Sequence, residues 1–135
     1  MFRSLPKLKL LFPHLKSVAK AADRSAFEIC GLVIAGKVKY LKNISKTPRL
    51  NFKIRPESYV GAFMGDSPRI TACFHSHVLG DEKLSDLDRR ISNNSAIPYL
   101  IYSTISNRFS FYCPKSIEII YFSIQECIIE SGIKT

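Results

Sequence analysis

The chain has 135 residues, 46% of them apolar, and a net charge of +9. That length and apolar content fit one domain with a real hydrophobic core and exclude a disordered segment. No uncharged apolar stretch approaches the roughly 20 residues a membrane helix needs, and Leu8-Lys9-Leu10-Leu11-Phe12, between Pro6 and Pro13, is too short and too charged for a signal peptide.

In chain order, Pro13 to Ala22 reads as a helix with Leu15, Val18, Ala19 and Ala22 on one face. Phe27 to Ala35 reads as an apolar strand carrying Glu28, followed by a turn at Gly36 and a return strand from Val38 to Ile44 with alternating lysines. Lys42 to Arg49 is a polar connection, and Asn51 to Ile54 a short strand. Pro56 suits the first position of a helix running to about Met64. Ile70 to Phe74 is a buried strand, and Ser85 to about Ser95 a helix. Tyr99 to Ser103 and Arg108 to Cys113 form a strand pair joined around Asn107. Ile117, Ile120, Tyr121, Ile124 and Ile128 follow helical spacing, which is preferred here over the strand that the isoleucine-rich composition favours. Mixed strand and helix order makes this an α/β fold.

The chemistry concentrates in His75, His77, Ser85 and Asp88, spaced H-x-H-x7-S-x2-D, with Glu28 upstream. Histidines two apart on an extended segment point to the same side and can grip one ion. Catalytic zinc takes three protein ligands and keeps a fourth position for water. His75, His77 and Asp88 would supply the three. Ser85 to Asp88 also reads as an S-x-x-D helix start, in which the serine caps and the acid closes a capping box. Both readings can hold together, since a helix starting near the metal brings both side chains into one small volume. Glu28 is costly in an apolar strand unless partnered. A metal-bound water is one reason for it, and a strand-edge position facing solvent is the other reading.

These residues resemble the JAMM (MPN+) metalloprotease domain, whose pattern is an upstream glutamate, then H-x-H, seven residues, serine, two residues and aspartate. Glu28-Ile29-Cys30-Gly31-Leu32-Val33, Leu84 to Arg90 and Ser95 to Ile101 extend the resemblance to the JAMM domain that opens lambda-type phage tail-assembly peptidases. It covers about residues 14–113, within a single domain over 1–135, and leaves 114–135 as an extension able to close the core or dock elsewhere. The resemblance implies a JAMM/MPN-like (cytidine-deaminase-like) curved mixed β-sheet flanked by helices. It also implies a Zn2+ cofactor on His75, His77 and Asp88, Glu28 as general base and then acid, and Ser85 as the oxyanion donor. The reaction implied is hydrolysis of a peptide or isopeptide bond, with a protein or peptide substrate and other phage tail proteins as partners. The expected compartment is the host cytoplasm during phage assembly, with the virion tail as a second location and the bacterial cytoplasm otherwise. Val78 follows the second histidine where the family usually has proline. Tail relatives often continue into a cysteine-peptidase domain of the NlpC/P60 type. Cys127 has no histidine after it, so no such activity is assigned.

The cysteines at 30, 73, 113 and 127 lack CxxC spacing and read as buried thiols of a reducing compartment. Cys73 shares strand parity with the histidines and is a further candidate ligand, although the strand should carry it deeper into the core. Residues 1–55 hold thirteen Lys and Arg against Asp23 and Glu28, while the remainder holds seven against nine. A solvated basic face explains this first, an acidic docking partner second, and specific nucleic-acid binding least, because no aromatic-rich RNA motif accompanies it. Two rival readings remain. One is a small JAMM peptidase acting on a ubiquitin-like or sulfur-carrier protein, and the other a non-catalytic MPN-fold adaptor in a phage tail.

Overall fold

The structure, a computed structural model, describes residues 6–53, 70–114 and 118–131. A short helix α1 (Pro6–Leu11) runs through a 3-10 turn (Phe12–His14) into α2 (Leu15–Asp23). Then come β1 (Cys30–Ile34), β2 (Lys37–Leu41), β3 (Ile70–His77), α3 (Asp86–Ser95), β4 (Tyr99–Ser103), β5 (Phe109–Cys113), β6 (Glu118–Phe122) and α4 (Ile124–Ser131). The six strands form one mixed sheet in the order β2-β1-β3-β4-β5-β6. β3 and β4 pair in parallel, and the other neighbours pair antiparallel. The parallel pair requires a crossover, which α3 supplies. The fold is therefore mixed α/β.

Strand alternation divides the core between the two faces of the sheet. One face buries Val33, Ala72, Phe74, Leu100 and Phe111 with Leu8, Leu11, Leu15 and Val18 of α1 and α2. The other buries Leu32, Cys73, Ile97 and Tyr99. Cys30 pairs with His75 and Leu32 with Cys73, so these side chains share the second face, toward which β3 also turns its histidines. α2 presents Leu15, Val18, Ala19 and Ala22 as its buried stripe, the face expected from the sequence. The β1–β2 hairpin turns at Ala35 and Gly36, both at positive φ (51° and 77°), the two-residue turn whose twist matches the strands.

Several expectations are corrected. Glu28 precedes the strand, which begins at Cys30 and not Phe27, and β2 ends at Leu41 and not Ile44. Asn51–Lys53 lie outside the sheet, held instead by Ile44 N–H to the Lys53 carbonyl (2.8 Å) and Lys53 N–H to Asn43 Oδ1 (3.0 Å). The helix expected over the C-terminal isoleucines is a strand followed by a helix. β6 pairs with β5 from Cys113↔Glu118 to Phe109↔Phe122, and Ser123 then caps α4 by accepting the Glu126 N–H (3.1 Å). Pairing with an open edge outweighed helical spacing, as β-branched composition favours. The packed core is also wider than residues 14–113, since Leu8, Leu11, Ile120, Phe122 and Cys127 all belong to it. Each fully buried leucine contributes about 1.5–3 kcal/mol. The helix expected from Pro56 to Met64 lies outside the described residues.

Candidate metal centre

Parity aims His75 and His77 at the second face, at the C-terminal end of β3. Ser76, between them, faces away, is fully buried, and bonds across to Ile29. Its Oγ accepts the Ile29 N–H (2.9 Å), and its own N–H reaches the Ile29 carbonyl (3.0 Å). This pins the chain just before β1 against the histidine strand and sets Glu28 beside it. Asn43 finishes the job from the other side. Its Nδ2 donates to the Glu28 carbonyl (2.9 Å), while the Glu28 N–H reaches the Pro48 carbonyl (2.8 Å). Ser76 and Asn43 escaped sequence reading. Ser76 carries a readable signal only as the x of H-x-H, and Asn43 none beyond its place in a polar connection.

Asp88 is aimed by the start of α3. Ser85 Oγ accepts the Asp88 N–H (3.0 Å) and Asp88 Oδ2 accepts the Ser85 N–H (3.1 Å), a complete capping box. The carboxylate thereby faces both imidazoles, with Oδ1 at 3.1 Å from His75 Nε2 and Oδ2 at 3.7 Å from His77 Nε2. One ligand atom from each of His75, His77 and Asp88 lies within 4.8 Å of the others. A tetrahedral zinc ion with ligands at about 2.0–2.1 Å would space them roughly 3.3–3.5 Å apart. Small side-chain adjustments would close that difference.

The His75 ring packs at a shallow tilt on Phe52 (centroids 4.4 Å apart) and nearly perpendicular to Tyr99 (5.8 Å). Both His75 ring nitrogens are buried, and neither makes a hydrogen bond of acceptable geometry despite carboxylates at 3.1 Å (Asp88) and 3.7 Å (Glu28 Oε1, facing Nδ1). A buried imidazole left in that state is costly. A cation shared by Nε2 and the Asp88 carboxylate would satisfy that nitrogen. Without one, burial pushes the His75 pKa down, but Asp88 first and Glu28 second override it and hold the ring charged, to about 9. Burial conversely pushes Asp88 up, and the two histidines, His75 foremost, bring it well below the ordinary carboxylate range.

Glu28, His75, His77, Ser85 and Asp88 all line one cavity of about 260 Å3, together with Phe52 and Leu50. Glu28 is buried, not turned to solvent as one reading of the sequence allowed. The Ser85 oxygen already accepts one backbone N–H, which leaves its O–H proton able to donate into the cavity. Cys73 packs with Leu32, Ile97 and Tyr99 in the core beneath, and among the described residues it is not part of the ligand cluster. All four cysteines are thiols. Cys30, directly across from His75, has its thiol pushed up to about 12 by burial and then by the Glu28 charge, so it stays protonated.

No family model matches the chain, and no curated protein matches it. Among solved structures it is similar to the solution structure of protein DSY2949 from Desulfitobacterium hafniense, at 20% identity over 85% of this chain and 86% of that one, with a TM-score of 0.52. That likeness shows a shared α/β fold. Among the described residues no helix is long and apolar enough to cross a membrane.

Proposed function

We propose that this chain is a zinc-dependent peptidase of the JAMM type, hydrolysing a peptide or isopeptide bond, and that it serves phage tail assembly in the host cytoplasm. The observation that carries the reading is the convergence of His75, His77 and Asp88 on a cavity that Glu28 and Ser85 also line. Two imidazoles and one carboxylate are a donor set that suits catalytic zinc. When bound, zinc would acidify water and polarise the substrate carbonyl. Glu28 takes a proton from the attacking water as its oxygen bonds to the carbonyl carbon, then returns that proton to the amine nitrogen as the C–N bond breaks. The Ser85 hydroxyl donates to the oxygen on which negative charge develops. The tail-assembly assignment rests on the sequence resemblance through Leu84–Arg90 and Ser95–Ile101. A loop held in shape supports an intact site despite Val78, because Ser103 Oγ donates to the Gly80 carbonyl (2.7 Å) and Ser110 Oγ to the Glu82 carbonyl (2.5 Å).

Elemental analysis of purified protein tests the metal. One equivalent of zinc in the wild type and none in His75→Ala is the expected result, and equal content in both would remove histidine ligation. Glu28→Gln should keep the zinc and lose turnover, with an uncut tail protein accumulating in infected cells. Accumulation of an uncut sulfur-carrier or ubiquitin-like protein would redirect the substrate assignment. A full-activity Glu28→Gln protein would end the mechanism, and full tail assembly by that inactive variant would favour an adaptor.

A further inference from the structure

Helix α3 is amphipathic in the wrong sense for a packed helix. It buries the polar side chains of Asp88 and Ser92 and exposes Leu87 (57%) and Ile91 (38%). A surface helix ordinarily does the reverse. Leu87 and Ile91 stand one turn apart, on the same side, and both line the metal cavity. Leu50, 65% exposed, also lines that cavity and separates it from a second, open depression of about 420 Å3 bounded by Phe27, Leu50, Leu79 and Arg49. Phe27 and Leu79 are each about half exposed. Of the nine large hydrophobic side chains exposed among the described residues, these two adjoining concavities collect five. Scattered apolar residues need no explanation, but a contiguous patch around a cavity does.

We propose that this rim is the substrate-recognition surface, and that its occupant is an extended peptide segment carrying bulky aliphatic or aromatic side chains beside the scissile bond. The inference rests on the peptidase reading and deepens it. A chain cut at the metal must leave the cavity on both sides, and the apolar rim is continuous with the cavity. Two concavities suit individual side chains of a threaded strand better than the flat, extended face that a second copy of this protein would need. Burying one such side chain in the Phe27–Leu50–Leu79 depression removes apolar surface from water on both partners. Each such contact is worth about tenfold or more in affinity.

The experiment is binding of the full-length Glu28→Gln protein, zinc-loaded, to an immobilised array of random octapeptides, where no cleavage is needed. Bound peptides should be enriched in adjacent Leu, Ile, Phe or Met. Leu50→Ser and Leu79→Ser, both at exposed positions that tolerate polar residues, should each weaken that binding about tenfold. Ile105→Ser, at an exposed residue after β4, should leave it unchanged. Binding indifferent to apolar content, or equally reduced by all three variants, overturns the inference. So does a stable dimer in sedimentation that Leu50→Ser abolishes, which would make the rim a self-association face. The two readings fail separately. A protein that binds apolar peptides and never cuts any defeats the peptidase reading, whereas one that cuts peptides without apolar preference defeats the recognition surface.

Discussion

His77 Nδ1 lies 2.6 Å from the backbone carbonyl of Asp81, four residues on. A carbonyl only accepts, so in the neutral ring the proton sits on Nδ1 and the lone pair falls on Nε2, the nitrogen facing Asp88. The loop carrying that carbonyl is in turn fastened to the sheet. Ser103 and Ser110, both fully buried, hold the carbonyls of its residues 80 and 82, while Ser106 (2.7 Å) and Arg108 (3.5 Å) hold the Glu82 carboxylate. The tautomer of a candidate metal ligand is thus set from β4 and β5.

Ser103→Ala should therefore weaken zinc binding about 10–100-fold, the usual cost of disturbing a ligand's orienting partners. It should also cost about 1–3 kcal/mol of stability, because the Gly80 carbonyl loses its donor. Competition titration with a chromogenic chelator reads the first and urea unfolding the second. Stability lost without any change in affinity would show that the loop does not orient His77.

Ser85 has two separable duties. Ser85→Ala should remove the helix cap, costing about 0.5–2 kcal/mol, together with the hydroxyl donor. Ser85→Asn should restore most of the stability, since asparagine caps well, yet leave hydrolysis slow. Thermal melts beside turnover assays make the comparison. Full activity in Ser85→Asn would confine the serine to capping.

In chelator-treated protein, His75 and Asp88 limit stability from opposite sides. His75, raised from 6.5 to about 9, contributes fully below about pH 6.5 and loses that contribution as pH rises through 9. Asp88, held below its ordinary 3.8, contributes above that value and loses it as pH falls further. Tm should accordingly decline from pH 6.5 to 9 when EDTA is present. Saturating zinc should reverse that slope, because the metal takes neutral imidazole. Parallel melts with and without EDTA would expose identical slopes, the result that contradicts zinc on these residues.

Gly31→Ala should destabilise by about 1–3 kcal/mol or more, measured by urea unfolding. A Cβ there would overlap the Lys39 carbonyl of β2 and the ring of Phe74. A neutral outcome would mean that β2 and the Phe74 ring can both shift away from Gly31 at little cost.

Local signals carried much of the fold and site into view. The spacing of Leu15, Val18, Ala19 and Ala22 named the buried stripe of α2, and the parity of His75 and His77 put both rings on one face. The S-x-x-D signal was sufficient for the α3 cap because every partner lies within three residues. What failed depends on distant partners. Ile119–Tyr121 became strand because β5 offered an edge, and Leu8 and Leu11 became core because β3 and its neighbours lay beneath them. Asn43 holds the backbone of residues 28, 45 and 53, a role no local pattern announces.

The crossover between β3 and β4 leaves both histidines and the α3 cap at the same rim of the sheet, where strands give way to turns. The packing that fixes the architecture lies behind that rim, among residues such as Phe74, Leu100 and Phe111. Insertions beside Leu50 and Leu79 would thus reshape the surface around the two concavities without unsettling the scaffold. Surface turns can be exchanged there while the buried strands stay as they are.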